Sequence, residues 1–463
     1  MIVLLPGILA WWTAASQSLE SALIGVYLPV LMLIPDNFSL PIDGLPDPNF
    51  SQCAILPIGL AVCWKAVFRR EWKFSVLDFF VFAYVAWQFI SDFYNVGYGD
   101  AQNLSFDVVT LCLLPYVCGK ALIEATGSRT QFARRFVWLL FVVSLLSVYE
   151  FKMGISLFRP AIGRFFPGQT SGWYTQIRWG FGRIAGPYGH AILMGSILAA
   201  GFLLCRWLSR SGQWERQFRW LGEVPLTKSQ VITGGLLAAT VMTLSRGPWL
   251  GAACGMALAS LGTSADRPRT LKRVTLLLVV GGVLVYSGGK AYISNPQSNN
   301  SASLAPPSNA EEVQSAAYRA VLLDQYTTIA MERPVWGWGR AHWPRIPGMS
   351  SIDNNYLYIA LNCGFVGTGL FVAILLAASA RLFVTGFFDE GMAQEERAFR
   401  FTLLGVIAAI AISTATVFLG SQLYPLLYLF LGWADACVLA KKAQAEDCPS
   451  PVTVEFQMMR VVA

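Results

Sequence analysis

The chain has 463 residues, of which 55% are hydrophobic and only 13% are charged. A soluble protein carries roughly 25% charged residues, so this composition excludes an ordinary water-soluble domain and favours a membrane protein. The formal net charge is +7, and because the basic residues fall between apolar runs they indicate cytoplasmic loops, not a nucleic-acid surface.

Apolar runs long enough to cross a bilayer recur along the chain. Residues 2–15 are apolar but contain Trp11 and Trp12, so we expect them to lie on the membrane surface and not to be a cleaved signal. The candidate spans that follow are 19–35, 51–68, 74–94, 104–123, 134–151, 183–207, 229–244, 246–263, 271–287, 354–380, 398–419 and 421–440. The expected fold class is all-α, a polytopic transmembrane helical bundle of about twelve helices.

The loops between these spans alternate in charge. The basic loops lie near residues 70, 134, 206–228, 267–273, 397–400 and 441–442. The long loops 152–182 and 288–353 belong to the other set, which begins with the acidic loop 36–50. Because basic loops stay on the cytoplasmic side, the pattern predicts a bacterial inner-membrane protein with both termini in the cytoplasm and the two long loops in the periplasm.

The loop 288–353 contains a predicted amphipathic helix. Asn309 and Glu312 have the spacing of a capping box, and Pro334 stops the helix near Arg333. The apolar stripe of this helix is predicted at Val313, Ala317, Val321 and Ile329. The helix is too polar to span, so we expect it to lie on or near the outer face.

Several arginines lie in the outer loops, against the general charge pattern. For Arg159, Arg164 and Arg345 nothing nearby points to a bound anion, and snorkelling to the interface explains them. Arg183 directly opens a span, and Arg246 lies in a tight turn beside the N-terminus of a helix, where amide dipoles favour an anion. Guanidinium groups match phosphate oxygens in a bidentate fork, so these two arginines are candidates for holding a pyrophosphate.

Four motifs follow one another on this predicted outer side. They are Arg-x-x-Gly-Pro from Arg183, Ser-Arg-Gly-x-Trp-Leu-Gly around Arg246, Arg-Pro-x-x-Gly-x-Gly from Arg333 after a loop helix with Arg319, and Asp-Asn-x-Tyr-Leu from Asp353 before Gly-x-x-Gly. In this order they resemble the O-antigen ligase and O-antigen polymerase superfamily of bacterial envelope glycosyltransferases. The resemblance runs from about residue 180 to residue 370.

The resemblance implies a helical membrane fold with a large periplasmic loop over the active site, and a donor glycan linked through pyrophosphate to a polyprenyl lipid. It implies that Arg183 and Arg246 correspond to the arginines thought to hold the pyrophosphate, with Arg319 a looser match. Ligases typically carry a His, proposed to assist the acceptor hydroxyl, where this chain has Asp353. That difference favours a polymerase or an exopolysaccharide relative.

The candidate catalytic residues are Asp353, Arg246 and Arg183. Fixed arginine charges stabilise the charge that develops on a leaving pyrophosphate, and an acceptor hydroxyl needs orientation and a base. Asp353 suits that role, but Asp is also a favoured N-cap and a span starts directly after it, so capping alone remains the alternative. The candidate substrate-binding residues are Arg319, Arg340, His342, Asn354, Tyr356 and Trp338. No cofactor and no metal site are expected.

The expected function is a metal-independent membrane glycosyltransferase that moves a glycan from a polyprenyl-pyrophosphate donor to a saccharide or lipid-glycan acceptor. This describes an O-antigen or exopolysaccharide polymerase or ligase. The alternative is a multi-pass transporter or flippase, but the two halves look unrelated and charged residues are sparse inside the spans. Membrane lipid, a chain-length regulator and a flippase are the candidate partners. Three regions are predicted: 1–180, the ligase-like core 181–380, and 381–463.

Overall fold

The computed structural model describes residues 2–42, 46–69, 72–166, 168–169, 174–214, 227–293, 310–340, 342–347, 349 and 351–446. For residues 67–69, 283–293, 310–320 and 441–446 it describes the backbone alone. The described chain is a helical bundle with one small two-stranded hairpin, which is the helical class of fold that the apolar runs predict.

The helices are numbered here in chain order. They are Leu5–Ser16 (α1), Leu19–Leu33 (α2), Phe50–Arg69 (α3), Val76–Val96 (α4), Tyr98–Leu122 (α5), Arg129–Met153 (α6), Phe158–Gly163 (α7), Ala191–Arg210 (α8), Lys228–Met242 (α9), Arg246–Thr263 (α10), Arg267–Ile293 (α11), Ala310–Glu332 (α12), Asn355–Phe388 (α13), Gln394–Thr414 (α14) and Gly420–Glu446 (α15). The strands Ile177–Arg178 (β1) and Phe181–Gly182 (β2) pair antiparallel.

Every predicted span overlaps one of these helices. Among the described residues, seven helices are long and apolar enough to cross a membrane, namely α4, α5, α6, α8, α13, α14 and α15. α2 and the apolar part of α3 are shorter. The chain is therefore a helical protein with membrane-spanning segments, and the number of twelve spans stays a prediction.

The span predicted at 183–207 begins too early. α8 starts at Ala191, where His190 is the N-cap and its Nδ1 accepts a hydrogen bond from the Ile192 amide at 3.2 Å. Before it, Gly186 and Gly189 have left-handed φ angles of 56° and 65°, which break a helix. The apolar composition of this segment indicates that it is buried, and burial alone does not distinguish a helix from an irregular segment.

Helices α10 and α14 pack closely because glycines face one another. A Cβ on Gly405 would lie 2.5 Å from the Gly255 carbonyl oxygen, and a Cβ on Gly255 would lie 2.6 Å from that of Gly405. Small residues of this kind let helix backbones approach within a membrane, where packing replaces the hydrophobic effect as the attraction between helices. Gly119 and Gly432 make the same kind of contact between α5 and α15.

Several residues of the predicted site lie at one end of the bundle. Arg183 donates hydrogen bonds to the turn between α9 and α10. At the start of α10, Gly247 lies against Thr416, which follows α14. Asn355, at the start of α13, accepts a hydrogen bond from the Leu419 amide just before α15. We call this face of the bundle the arginine end.

The opposite end is held by buried ion pairs. Lys120 Nζ lies 2.5 Å from Asp78 Oδ2 and 2.8 Å from Asp435 Oδ2, and Asp435 also pairs with Arg381. Charges inside a membrane protein are costly unless they are paired, so this group ties α4, α5, α13 and α15 together.

The amphipathic helix of the long loop is α12, which ends at Glu332 just before Arg333 and Pro334. Its buried face is formed by Leu322, Tyr326 and Ala330. The stripe predicted through Val321 is wrong at that position, since Val321 is 44% exposed. Neighbouring residues lie about 100° apart around a helix axis, so the segment Ile352–Leu361, which packs on Leu322 and not on Val321, decides which face of α12 is covered. The predicted cap residues Asn309 and Glu312, and the predicted stripe residues Val313 and Ala317, lie outside the residues or side chains that the structure describes.

Because the backbones of α10 and α14 are in contact at these glycines, we expect one added methyl group to lower the stability of the protein. Gly405→Ala should destabilise the protein by about 1–3 kcal/mol, because the new Cβ meets a backbone carbonyl that cannot rotate away. The measurement is the thermal midpoint of the purified protein in detergent. The matched control is Gly369→Ala in α13, where a Cβ meets nothing within 4 Å. Equal midpoints for the two variants would contradict the close packing.

Candidate functional site

The first part of the site is a hairpin that is tied to the turn between α9 and α10. Trp179 and Gly180 form the two-residue connection between β1 and β2, with φ angles of 53° and 79°, as in the turns that favour tight hairpins. Arg178 donates from Nη1 to the Leu244 carbonyl oxygen at 2.7 Å. Leu244 itself has a φ of 48°, which is unusual for a branched residue and marks a constrained turn.

Arg183 is buried, with 8% of its surface exposed. Its Nε donates to the Thr243 carbonyl oxygen at 3.2 Å and its Nη2 donates to Ser245 Oγ at 2.7 Å. Its Nη1 donates to the Gln176 side-chain oxygen. In this arrangement the guanidinium holds the hairpin against the turn and adds a fixed positive charge directly behind Arg246.

Arg246 is the exposed arginine of the pair. It is the first residue of α10, and Ser245 before it has the extended backbone of an N-cap. The amides of the first helical turn point outwards from this position, and the helix dipole places partial positive charge there. A cationic side chain at a helix N-terminus is unfavourable for the helix by itself, which is the arrangement expected where an anion binds.

A carboxylate that the sequence analysis did not predict binds the backbone of the segment before α8. Glu150 is buried near the end of α6, and its Oε2 accepts from the amides of Ala185 and Gly186 at 3.1 and 2.8 Å. Its Oε1 accepts from the Thr175 hydroxyl at 2.8 Å. The signal that could have found it is an acidic residue inside an otherwise apolar span, which by default suggests function or a specific partner.

The second part of the site is built on a break in α13. Cys363 and Gly364 leave the helical conformation, Gly364 with a φ of 73°. The carbonyl oxygens of Leu361 and Asn362 that this break releases accept from the amides of Trp338 and Gly339, at 2.8 and 2.9 Å. The Arg-Pro-x-x-Gly-x-Gly and Gly-x-x-Gly motifs are therefore two halves of one contact.

Glycine is required on both sides of this contact. A Cβ on Gly337 would lie 2.5 Å from the Asn362 carbonyl oxygen, and a Cβ on Gly364 would lie 2.1 Å from the Val335 carbonyl oxygen. The loop is also held against α4, where the Trp87 and Trp336 rings stack with centroids 4.5 Å apart. The result is a rigid support for the residue that follows, Arg340.

Arg340 lies between two carboxylates of the bundle. Its Nη2 is 3.6 Å from Asp92 Oδ2, its Nη1 is 3.4 Å from Asp107 Oδ2, and its Nη2 donates to the Leu104 carbonyl oxygen at 3.0 Å. Burial lowers the pKa of the guanidinium, and the charges of Asp92 and Asp107 raise it by more, so the net shift is upward. Both carboxylates were missed by the sequence analysis, although each lies near the end of a predicted span, where a charged residue suggests function or a specific partner.

The alternative that Asp353 serves only as a helix cap is wrong. Asn354 is the N-cap of α13, and its Oδ1 accepts from the Leu357 amide at 3.1 Å. Asp353 lies one residue earlier, half-buried, and accepts a hydrogen bond from Ser351 Oγ at 2.8 Å. Both residue types cap well, so the sequence could not decide between them. The Asp353 carboxylate is thus not used by the helix, whereas Asn354 has a structural role.

The remaining predicted residues divide between structural and open positions. Tyr356 donates to the Ala411 carbonyl oxygen at 2.9 Å, and Trp338 donates to that of Ile329 at 3.0 Å, so both are used in packing. His342 is exposed, with Nδ1 2.7 Å from the Arg340 carbonyl oxygen. The backbone of Arg319 belongs to α12, but its side chain lies outside the described part of the chain.

The two parts of the site are neighbours across the segment between α14 and α15. Thr416 touches the start of α10 at Gly247, and Phe418 stacks on Tyr358 of α13 with ring centroids 5.6 Å apart. The N-terminal ends of α10 and α13, which carry Arg246 and Asp353, therefore flank one short segment. The arrangement offers an exposed cation at a helix N-terminus and an available carboxylate at the same end of the bundle.

The role of Glu150 can be tested by its removal. Glu150→Ala leaves the amides of Ala185 and Gly186 buried without their acceptor, which should cost about 1–3 kcal/mol in stability. Limited proteolysis should then cut within residues 174–190 faster than in the parent. Lys152→Ala, an exposed change at the end of the same helix, is the control and should cut at the parental rate. Unchanged protection in Glu150→Ala would show that the carboxylate does not hold the hairpin.

Part of the chain is similar to a known protein family. Residues 231–372 match the model of a family described as O-antigen ligase. The match contains Arg246, both glycine motifs, Arg340 and Asp353, while Arg183 and its hairpin lie before it. No curated protein matches the chain. Over residues 231–372, the chain therefore resembles the O-antigen ligase family.

Proposed function

We propose that this protein is a glycosyltransferase that moves a glycan from a polyprenyl-pyrophosphate donor to a sugar hydroxyl at the arginine end of the bundle. The observation that carries the proposal is the exposed Arg246 at the N-terminus of α10, with the buried charge of Arg183 fixed behind it through Ser245. The match to the O-antigen ligase family supports a role of this type.

The chemistry follows from these charges. The acceptor hydroxyl attacks the anomeric carbon of the donor sugar, the bond from that carbon to the pyrophosphate oxygen breaks, and the electron pair leaves with the lipid pyrophosphate. Arg246 and the amides of the first turn of α10 stabilise the charge that grows on that oxygen, and their fixed positions lower the barrier without reorganisation. These groups let the reaction proceed without a metal ion.

The proton of the acceptor hydroxyl goes to the Asp353 carboxylate and from there to solvent. Asp353 suits this step because Asn354 caps α13 in its place, and because Ser351 Oγ orients its carboxylate from one side. General-base assistance of this kind contributes about 10²–10⁴ in rate.

The arginine end is assigned to the periplasmic side of the bacterial inner membrane, with both termini in the cytoplasm. The support is the charge of the loops, since the connection 264–273 at the opposite end is rich in Lys and Arg. A flippase that delivers the donor and a chain-length regulator are the expected protein partners on this side.

The pyrophosphate role predicts a strict requirement for arginine at position 246. Arg246→Ala should lose at least about tenfold in transfer, since a hydrogen bond to a charged group is worth about 1.5–3 kcal/mol. Arg246→Lys should also be poor, because an ammonium group cannot make the bidentate contact. The assay is transfer in vitro from a polyprenyl-pyrophosphate-linked glycan to an oligosaccharide, with protein levels matched.

Arg345→Ala is the control for this experiment, because Arg345 is an exposed outer-loop arginine that belongs to neither part of the site. It should transfer at the parental rate. Parental activity in Arg246→Lys would contradict the pyrophosphate role. Uptake of a labelled solute by vesicles, with no transfer in any variant, would favour the transporter instead.

The role of Asp353 can be separated from stability because the cap is a different residue. Asp353→Asn should fold normally and lose about 10²–10⁴ in the transfer rate, since it keeps the shape and removes the proton acceptor. Asp353→His should be partly active, because imidazole accepts a proton near neutral pH. Asn354→Ala is the complementary control: it should lower the thermal midpoint through loss of the cap. An Asp353→Asn protein with parental activity would exclude Asp353 as the base.

A further inference from the structure

A cavity with a mixed polar and apolar lining lies beneath the Arg340 contact, between α4, α5, α13 and α15. Its volume is about 270 Å³. Arg340 and Asp107 line it on one side, Gln88 and Asn362 line it on another, and Tyr358 and Phe418 bring aromatic rings to it. Part of the lining lies near the arginine end, because Tyr358 is one helical turn from Asn354 and Phe418 belongs to the segment between α14 and α15.

Buried polar atoms around this cavity lack partners. Among the described residues, Gln88 Nε2 and Asn362 Oδ1 are buried without a hydrogen bond, and 7% of Asn362 is exposed. Such a group costs about 1–3 kcal/mol when it is left unsatisfied, so native proteins rarely retain one without a reason. The backbone of Asn362 is already fixed by the Gly339 amide, which holds this side chain at the cavity wall.

These groups match the hydrogen-bonding needs of a sugar. Gln88 offers a donor and Asn362 an acceptor, while the carboxylate of Asp107 accepts from hydroxyls, which both donate and accept. The Tyr358 and Phe418 rings supply the apolar surface that the face of a pyranose ring needs. A volume of about 270 Å³ is slightly below the range of about 300–1,000 Å³ that holds drug-sized ligands, so one ring fits better than a longer oligosaccharide.

The charged side chains around the cavity determine which sugars can bind in it. Arg340 contributes one positive charge, and Asp92 and Asp107 contribute two negative charges when both are ionised. The guanidinium is already shared between these carboxylates, so a uronic acid or another anionic sugar would meet net repulsion in a partly desolvated site. The arrangement accepts a ring with hydroxyl groups and no negative charge.

We propose that this cavity is a subsite that binds one uncharged sugar ring of the acceptor, beside Asp353. The inference rests on the proposed function, which needs an acceptor hydroxyl near that carboxylate. A ring held in the cavity places the next sugar of the acceptor chain towards the start of α13, where Asp353 lies. The subsite acts by orienting the acceptor and does not touch the leaving pyrophosphate.

The test uses binding and transfer on the same purified protein. Binding is measured by saturation-transfer NMR with neutral methyl glycosides of glucose, galactose, mannose and N-acetylglucosamine, and with methyl glucuronide. At least one neutral glycoside should bind and the glucuronide should not. Asn362→Leu and Gln88→Leu should weaken that binding about tenfold and raise KM for the acceptor by the same factor, with kcat and the donor KM unchanged.

Ser105→Ala is the matched control, since it removes an unpartnered buried polar atom of α5 that does not line the cavity. It should leave binding and KM unchanged. Asp107→Asn keeps the oxygen that accepts from Gln52 and removes one negative charge, so it should admit the glucuronide.

Three outcomes overturn the subsite. They are parental binding and KM in both leucine variants, glucuronide binding as tight as that of the neutral glycosides, and no glycoside binding at all. Parental KM values in an active transferase would reject the subsite alone. Glycoside binding that responds to Asn362→Leu, in a protein without transfer activity, would keep the subsite and reject the proposed function.

Discussion

Inside the bundle, where water does not reach, every backbone amide and carbonyl that a helix break releases must find a partner in the protein. This constraint shapes the whole arginine end. Glu150 accepts from the amides before α8, Arg183 donates to the carbonyl after α9, and the amides of Trp338 and Gly339 meet the carbonyls released in α13. The groups that form hydrogen bonds with the backbone released at these breaks also determine the shape of the site.

The same constraint explains why the site is rigid. The hairpin and the turn before α10 are bound to each other, and Glu150 of α6 binds both flanks of the hairpin. The loop after α12 is bound to α13 through backbone hydrogen bonds. Glycines at Gly337 and Gly364 allow backbones to approach so closely that no other residue fits. Preorganised charge is most effective where it does not have to move during the reaction, and these supports provide that condition for Arg246.

The three arginines have different roles because they are buried to different degrees. Arg183 uses its donors on the turn between α9 and α10, whereas Arg246 is exposed and starts α10. Arg340 pairs with Asp92 and Asp107 and belongs to a separate cavity. Three arginines that look equivalent in the sequence thus supply a support, a candidate anion contact and a cavity wall in which two carboxylates share one guanidinium.

The sequence by itself determined the helical membrane class, the positions of the helices and the order of the motifs, because length, hydropathy and glycine spacing are local properties. It also singled out Arg183, Arg246 and Asp353, since charged residues next to apolar runs stand out without any knowledge of contacts. It missed Glu150, Asp92 and Asp107, although charges inside spans were a signal that could have been followed.

Only the tertiary structure decided how these residues are used. Asp353 and Asn354 are equally good caps, and the backbone geometry at the start of α13 selected Asn354. The start of α8 moved to Ala191 because a carboxylate from α6 holds the preceding segment out of the helix. The covered face of α12 was set by the segment packed on it. Each of these choices depends on groups far apart in the chain, and a pattern within one segment carries no information about a partner that arrives from another.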